Sequence, residues 1–134
     1  MRKLDETITV SGQVLPQDVP ALAVAGFRMI INNRPDGEQP GQPAGAELAA
    51  AAAAAGLAYH HIPVAGGLSP QQVQAMAAAL DSADGPVLAF CAAGLRSTYL
   101  WALARGAAGE PAQSIIDKAA GAGFDLSPLR AHLG

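Results

Sequence analysis

The sequence predicts an α/β fold in which a mostly parallel central sheet is flanked by helices. Short apolar runs of strand length alternate along the chain with segments that carry helix start and stop signals. One run, VLAF at 87–90, is wholly apolar, as is typical of a strand buried on both faces of a parallel sheet. Because strand and helix alternate, we expect helices on both faces of that sheet.

Proline, serine and glycine set most of the predicted boundaries, since proline and serine favour helix starts and glycine favours helix ends. In the first half of the chain we expect a strand at 7–11, a helix from Pro16 to Gly26, a strand at 27–32, an alanine-rich helix at 44–55 and a strand at 57–64. In the second half we expect a helix from Ser69 to about Ser82, a strand at 87–90, and helices that begin near Ser97, Pro111 and Ser127.

The composition is that of one globular domain over residues 1–134, with 51% hydrophobic and 14% charged residues. The net charge is −3 and the eight Lys and Arg form no cluster, so neither nucleic acid nor a membrane surface is an expected partner. The single cysteine excludes an internal disulfide and a multi-cysteine metal site, and we expect no metal and no cofactor. A lone thiol and an N-terminus without a signal-peptide pattern predict a cytoplasmic protein.

The stretch PVLAFCAAGLRST, 86–98, places the lone Cys91 directly after the apolar strand. A loop between a strand and a helix can turn its backbone N–H groups inward, where the positive helix N-terminus adds to them. Such a loop binds an anion or stabilises a thiolate, so we expect Cys91 to have a lowered pKa and to act as a nucleophile. The residues expected to surround it with backbone N–H groups are Ala92, Ala93, Gly94 and Leu95.

Polar side chains near this loop are candidates for substrate contacts. Arg96 offers a planar fork of donors for an oxyanion, and the Ser97 hydroxyl can donate to the sulfur. Arg34 is a candidate for binding a substrate anion, and Asp36 is a candidate acid or base, although Pro-Asp-Gly is equally typical of a turn. The polar residues at the end of the second strand, on the presumed active edge, are Asn32, Asn33, Arg34, Asp36 and Glu38.

The pattern Cys-x-x-Gly-x-Arg-Ser, which begins at Cys91, resembles two kinds of cysteine loop. It is similar to the active-site loop of rhodanese-type sulfurtransferases and to the phosphate loop of protein tyrosine and dual-specificity phosphatases. The phosphatase motif has five residues between Cys and Arg, whereas this chain has four. A shorter loop supplies fewer inward N–H groups and less room for a tetrahedral phosphate.

The stretches SGQVLPQDV, GFRMIINNRPDGEQPGQP and YHHIPV extend the resemblance to the beta-lactamase-hydrolase-like, phosphatase-like domain family, over nearly residues 1 to 108. This resemblance implies a dual-specificity-phosphatase-like fold. In related proteins such a domain is joined to a metallo-β-lactamase-like, persulfide-oxidising domain, which implies sulfur metabolism and a partner of that kind. Dual-specificity phosphatases carry a general-acid aspartate after the strand that matches YHHIPV, whereas this chain continues with Ala65-Gly66-Gly67.

Three functions therefore stay open, and each takes a small anionic substrate. The first is a cysteine-dependent sulfurtransferase, in which Cys91 takes sulfur from a donor such as thiosulfate and forms a persulfide. The second is a phosphatase that forms a phosphocysteine, with Asp36 or water in place of the missing acid. The third is a module without catalysis, which binds an oxyanion or senses thiol oxidation at Cys91.

Overall fold

A computed structural model describes residues 1–133, and it is built around one five-stranded sheet. The strand order is β1-β2-β5-β3-β4, in which β1 pairs antiparallel with β2 and all other neighbours are parallel. The sheet is therefore mixed but mostly parallel, which confirms the predicted fold class. The strands are β1 (Arg2–Asp5), β2 (Ile8–Ser11), β3 (Met29–Asn32), β4 (Ala58–His61) and β5 (Val87–Phe90).

Five α-helices follow the predicted boundaries closely. Ser69 accepts a hydrogen bond from the Gln72 backbone N–H and so caps one helix, while Gly56 ends another in the left-handed conformation with φ of 77°. Short 3-10 helices occupy Pro16–Asp18 and Ser127–His132. The α-helices are α1 (Val19–Val24), α2 (Gly45–Ala55), α3 (Pro70–Ser82), α4 (Leu95–Ala107) and α5 (Ala112–Gly121).

Two apolar layers cover the two faces of the sheet. Side chains alternate along β5, so that Leu88 and Phe90 pack in one layer and Val87 and Ala89 pack in the other. The first layer includes residues of α1 and α2, and the second includes residues of α3, α4 and α5. All four β5 residues are at most 1% exposed, which confirms the strand buried on both faces.

The N-terminal strand β1 was not predicted, and α4 begins at Leu95 rather than near Ser97. Asp5 accepts hydrogen bonds from the Thr7 backbone N–H and hydroxyl at 2.8 and 2.6 Å, and this turn folds β1 back on β2. Lys118 of α5 adds an ion pair to Asp5 at 3.3 Å. No helix of the described residues is long and apolar enough to cross a membrane.

The parallel strands end together at one edge of the sheet. In the strand register, Phe90 of β5 lies beside Ser11 on one side and Asn32 on the other, and Asn32 in turn lies beside His61. Cys91 therefore leaves the middle of the sheet, between the loops that follow β2 and β3. This is the edge at which open parallel sheets bind their ligands.

Candidate active site

The cysteine loop joins β5 to α4 and surrounds the Cys91 sulfur with backbone donors. The Gly94 N–H donates to Sγ at 3.1 Å. Cys91 itself is only 1% exposed, and its backbone N–H donates to the Ser11 carbonyl oxygen at 3.3 Å, which fixes the start of the loop to β2. The thiol thus lies at the floor of the site, as the sequence predicted.

Two opposing effects set the pKa of Cys91. Burial acts to raise it, but hydrogen bonding from the backbone N–H groups of Ser97, Ala93 and Gly94 and from the Ser97 hydroxyl outweighs burial, so the pKa lies below its ordinary value. The Ser97 hydroxyl oxygen is buried and forms no hydrogen bond of good geometry with residues 1–133. It lies close enough to the sulfur to add to the lowering of the pKa of Cys91.

Glycine is required at two positions around this loop. Gly94 has φ of +93°, a conformation that side chains of L-residues rarely adopt, and this conformation belongs to the turn that presents its N–H to Cys91. Gly12 lies against the loop from the β2 side, because a Cβ there would stand 2.9 Å from the Ala92 carbonyl oxygen. Ala92, Ala93 and Leu95 are exposed, so their side chains face away from the buried sulfur.

Arg96 lies at the start of α4, and its guanidinium is held by two groups from other elements. Nη1 donates to Glu38 Oε2 and, at 2.8 Å, to the Val64 carbonyl oxygen after β4, while Nη2 donates to Glu38 Oε1 at 2.9 Å. The Glu38 carboxylate raises the pKa of Arg96, and the nearby charge of Cys91 adds to that effect. Arg96 therefore lies near the Cys91 sulfur.

Arg34, a candidate from the sequence for binding a substrate anion, is buried, and three side chains hold its guanidinium. Its three guanidinium nitrogens donate to Glu38 Oε1, Gln13 Oε1 and Gln39 Oε1, each at 2.9 Å. The Arg34 side chain is 6% exposed. It connects the loop after β2, which carries Gln13, with the loop after β3, and it acts on the site through Glu38.

Glu38 is the residue that sequence reasoning left without a role. Its carboxylate binds Arg96 and Arg34 at once, and this pairing, with the hydrogen bond from Arg96 as the largest cause, lowers its pKa to about 2. Glu38 is therefore ionised at neutral pH. The only signals in the sequence were its position on the presumed active edge and the Asp36-Gly37 turn, which reverses the chain before it.

Asp36 has a contact that suits a structural task. Its Oδ1 accepts a hydrogen bond at 2.7 Å from the backbone N–H of Gly45, the first residue of α2. A carboxylate there stabilises the helix N-terminus. The structure thus brings together Cys91, Ser97, Arg96 and Glu38, but directs the Asp36 carboxylate to α2. Within residues 1–133 no group of three His, Cys, Asp or Glu side chains could hold a metal ion.

Comparison with known structures places this fold among phosphatase-like proteins. A provisionally named phosphatase from Neisseria meningitidis superposes with a TM-score of 0.82 at 36% identity, covering 98% of this chain and 94% of that one. A kinase-associated phosphatase whose catalytic cysteine was replaced by serine superposes with a TM-score of 0.72 at 19% identity, over 94% and 83% of the two chains. The fold is therefore tyrosine- and dual-specificity-phosphatase-like, as the sequence resemblance implied.

Sequence comparison gives the family. A beta-lactamase hydrolase-like protein of Agrobacterium fabrum is 40% identical over 126 residues, which are 92% of this chain and 29% of that protein. Its counterpart in Xylella fastidiosa is 38% identical over 125 residues, and this chain again spans 29% of that protein's length. Since residues 1–109 also match the family described as "Beta-lactamase hydrolase-like protein, phosphatase-like domain", the chain belongs to that family.

Proposed function

We propose that this chain is a cysteine-dependent sulfurtransferase. The observation that carries the proposal is the state of the one carboxylate bound to Arg96. Glu38 is ionised, with a pKa of about 2, and both of its oxygens accept hydrogen bonds from guanidinium groups. It is therefore unsuited to give a proton to a leaving group at neutral pH, whereas the chemistry of sulfur transfer requires no such proton.

The transfer proceeds in two displacements on sulfur. The Cys91 thiolate attacks the outer sulfur of thiosulfate, the sulfur–sulfur bond of thiosulfate breaks, and its electron pair leaves with sulfite, a stable anion. An acceptor such as cyanide then attacks the outer sulfur of the Cys91 persulfide, which releases thiocyanate and restores the thiolate. The first step forms one bond and breaks one bond, and so does the second, so no external oxidant or reductant is consumed.

The residues around Cys91 have matching tasks. The N–H groups of Ala93, Gly94 and Ser97 stabilise the sulfur as attacking group in the first step and as leaving group in the second. Arg96 binds the oxyanion part of the donor. The loop has four residues between Cys91 and Arg96. In sulfur transfer only the outer sulfur of the donor has to reach Cys91, whereas phosphoryl transfer places the tetrahedral phosphorus centre itself against the thiolate.

A second candidate is phosphoryl transfer, and the similarity of this chain to proteins named as phosphatases favours it. The Neisseria meningitidis structure, 36% identical to this chain, carries the name of a phosphatase, and the family is described as phosphatase-like. In this reaction Cys91 would form a phosphocysteine and release an alcohol. Because a general acid contributes roughly 10²–10⁴-fold to such catalysis, we expect turnover only with aryl phosphates, whose leaving groups need little protonation.

The deciding experiment incubates the reduced protein with thiosulfate and measures its intact mass. We expect a gain of one sulfur atom, absent in Cys91→Ser, and thiocyanate release when cyanide is added. A parallel assay with an aryl phosphate serves as the comparison. Cys91-dependent phosphate release without any sulfur gain would favour the phosphatase, and anion binding without either turnover would indicate a binding module.

In the relatives this region is part of a protein more than three times as long. We propose that a small thiol attacks the outer sulfur of the Cys91 persulfide, which restores the Cys91 thiolate and leaves the sulfur on the small thiol as a new persulfide. A metallo-β-lactamase-like partner would then oxidise that persulfide with dioxygen. Addition of a small thiol to the persulfide-loaded protein should remove the extra sulfur mass, and sulfite should form only when the partner and dioxygen are also present; an unchanged mass would contradict the transfer.

A further inference from the structure

The Arg96 guanidinium uses some of its N–H donors to bind protein oxygens and leaves others for a ligand. A guanidinium has five N–H groups. Three of them are used: two on Nη1, which reach Glu38 and the Val64 carbonyl oxygen, and one on Nη2, which reaches Glu38. The N–H of Nε and the second N–H of Nη2 bind no protein oxygen among residues 1–133, and Arg96 also interacts with the Cys91 sulfur, beside which a ligand would bind. These two lie on the same side of the guanidinium and form a fork that a two-oxygen anion can bridge.

We propose that Glu38 is the positioning residue that aims this fork at the anion bound beside Cys91. Its two carboxylate oxygens bind the end of the Arg96 guanidinium, so the side of the guanidinium is left for the substrate. Arg96 alone could rotate about four side-chain bonds, and fixing it in advance removes the entropy loss that binding would otherwise include.

Arg34 makes Glu38 a rigid support. The buried Arg34 guanidinium holds Glu38 Oε1 at 2.9 Å and is itself held by Gln13 and Gln39. The four side chains Gln13, Arg34, Glu38 and Gln39 form one connected network, in which Glu38 holds the end of the Arg96 guanidinium. The Val64 carbonyl oxygen holds a further N–H of Nη1. The carboxylate also cancels one of the two guanidinium charges, so orientation rather than excess charge provides the selectivity for anions.

Two alkylating agents of similar size test this inference without any sulfur or phosphoryl transfer. Iodoacetate carries a carboxylate that can bind the Arg96 fork, whereas iodoacetamide is neutral. We expect the wild-type protein to react faster with iodoacetate at Cys91. In Glu38→Gln one carboxylate oxygen becomes an NH2 group, which donates and cannot accept a hydrogen bond from Arg34 or Arg96. Arg96 therefore loses the carboxylate that binds both of its terminal nitrogens. We expect the ratio of iodoacetate to iodoacetamide rates to fall about tenfold, with the iodoacetamide rate nearly unchanged.

Two further variants make the result decisive. Glu38→Asp keeps the charge but shortens the reach, so we expect an intermediate ratio, and this variant decides the matter if Glu38→Gln fails to fold. Glu47→Gln removes the same charge from an exposed position on α2 and should leave the ratio unchanged. A ratio that stays constant or rises in both Glu38 variants would overturn the proposal, since Glu38 would then compete with anions for Arg96.

This inference rests on the proposed function only in that an oxyanion is taken to bind Arg96. The two fail separately. If thiosulfate adds no sulfur but the iodoacetate preference depends on Glu38, the sulfurtransferase proposal is wrong and the positioning role stands. If sulfur is added but the preference does not depend on Glu38, the opposite holds.

Discussion

Replacing Gly94 by alanine tests whether the loop conformation lowers the pKa of Cys91. Gly94 has φ of +93°, and its N–H donates to Cys91 Sγ at 3.1 Å. A residue with a Cβ in this left-handed conformation costs about 1–2 kcal/mol. The smaller conformational entropy of the unfolded alanine chain offsets about 0.4–1 kcal/mol of that cost. The added Cβ would stand 3.4 Å from Phe124 Cζ, a tolerable contact. We therefore expect a net destabilisation of about 1 kcal/mol.

The effect on the thiol should be larger than the effect on stability. A hydrogen bond to a charged group contributes about 1.5–3 kcal/mol, and the variant loses it when the loop relaxes away from the strained conformation. Losing the lower end of that range makes ionisation of the Cys91 thiol about tenfold less favourable. We therefore expect the pKa of Cys91 to rise, and the pH at which the iodoacetamide rate reaches half of its maximum should increase by about one unit.

Gly109→Ala is the matched control for this variant. Gly109 has φ of +95°, is exposed after α4, and has no heavy atom within 4 Å of a built Cβ. Urea unfolding should give both variants a similar loss of stability, while the pH profile of alkylation should move only in Gly94→Ala. An unmoved profile in Gly94→Ala would refute the reasoning that the Gly94 N–H stabilises the thiolate.

Three other perturbations address the remaining groups of the site. Ser97→Ala removes the hydroxyl, and we expect the pH profile of Cys91 alkylation to move to higher pH while the rate at high pH matches wild type; an unmoved profile would show that the hydroxyl has no effect on the sulfur. Asp36→Ala should lower the free energy of unfolding by about 1 kcal/mol, because Asp36 loses its contact with the start of α2. The gain of sulfur mass with thiosulfate should stay unchanged; its loss would support the acid–base role predicted from the sequence. The pKa of Glu38 is lowered from 4.5 to about 2, so its stabilising effect is fully present above pH 4.5 and is lost as the pH falls toward 2. The difference in unfolding free energy between wild type and Glu38→Gln should therefore be constant from pH 7 to 5 and shrink below pH 4.5; a difference that shrinks already between pH 7 and 5 would contradict the ion pairs.

Most of the fold could be predicted because its signals are local. Apolar runs, proline at helix starts and glycine at helix ends lie next to the elements that they define. Strand β1 escaped prediction because Arg2–Asp5 is largely charged and pairs only at the edge of the sheet. Its place depends on the Asp5–Thr7 turn and on the ion pair with Lys118, which is 113 residues away in sequence.

The site residues likewise differ in whether the local sequence predicts their place. Cys91, Gly94, Ser97 and Arg96 lie within one short loop and the start of a helix, so their spacing predicts their grouping. The choice between Asp36 and Glu38 could not be made in this way, because a turn separates them and sends one carboxylate to α2 and the other to Arg96. Only the three-dimensional path of the loop after β3 decides which acidic group binds Arg96.

The central position of β5 has a consequence for how the protein opens. A strand paired on both sides and covered on both faces exchanges its amide hydrogens only when the whole domain unfolds, whereas surface loops open in smaller fluctuations. Cys91 directly follows this central strand, while the orientation of Arg96 depends on side-chain contacts of the loop after β3. Local fluctuations of that loop should therefore release Arg96 from Glu38 while Cys91 stays in place at the end of β5.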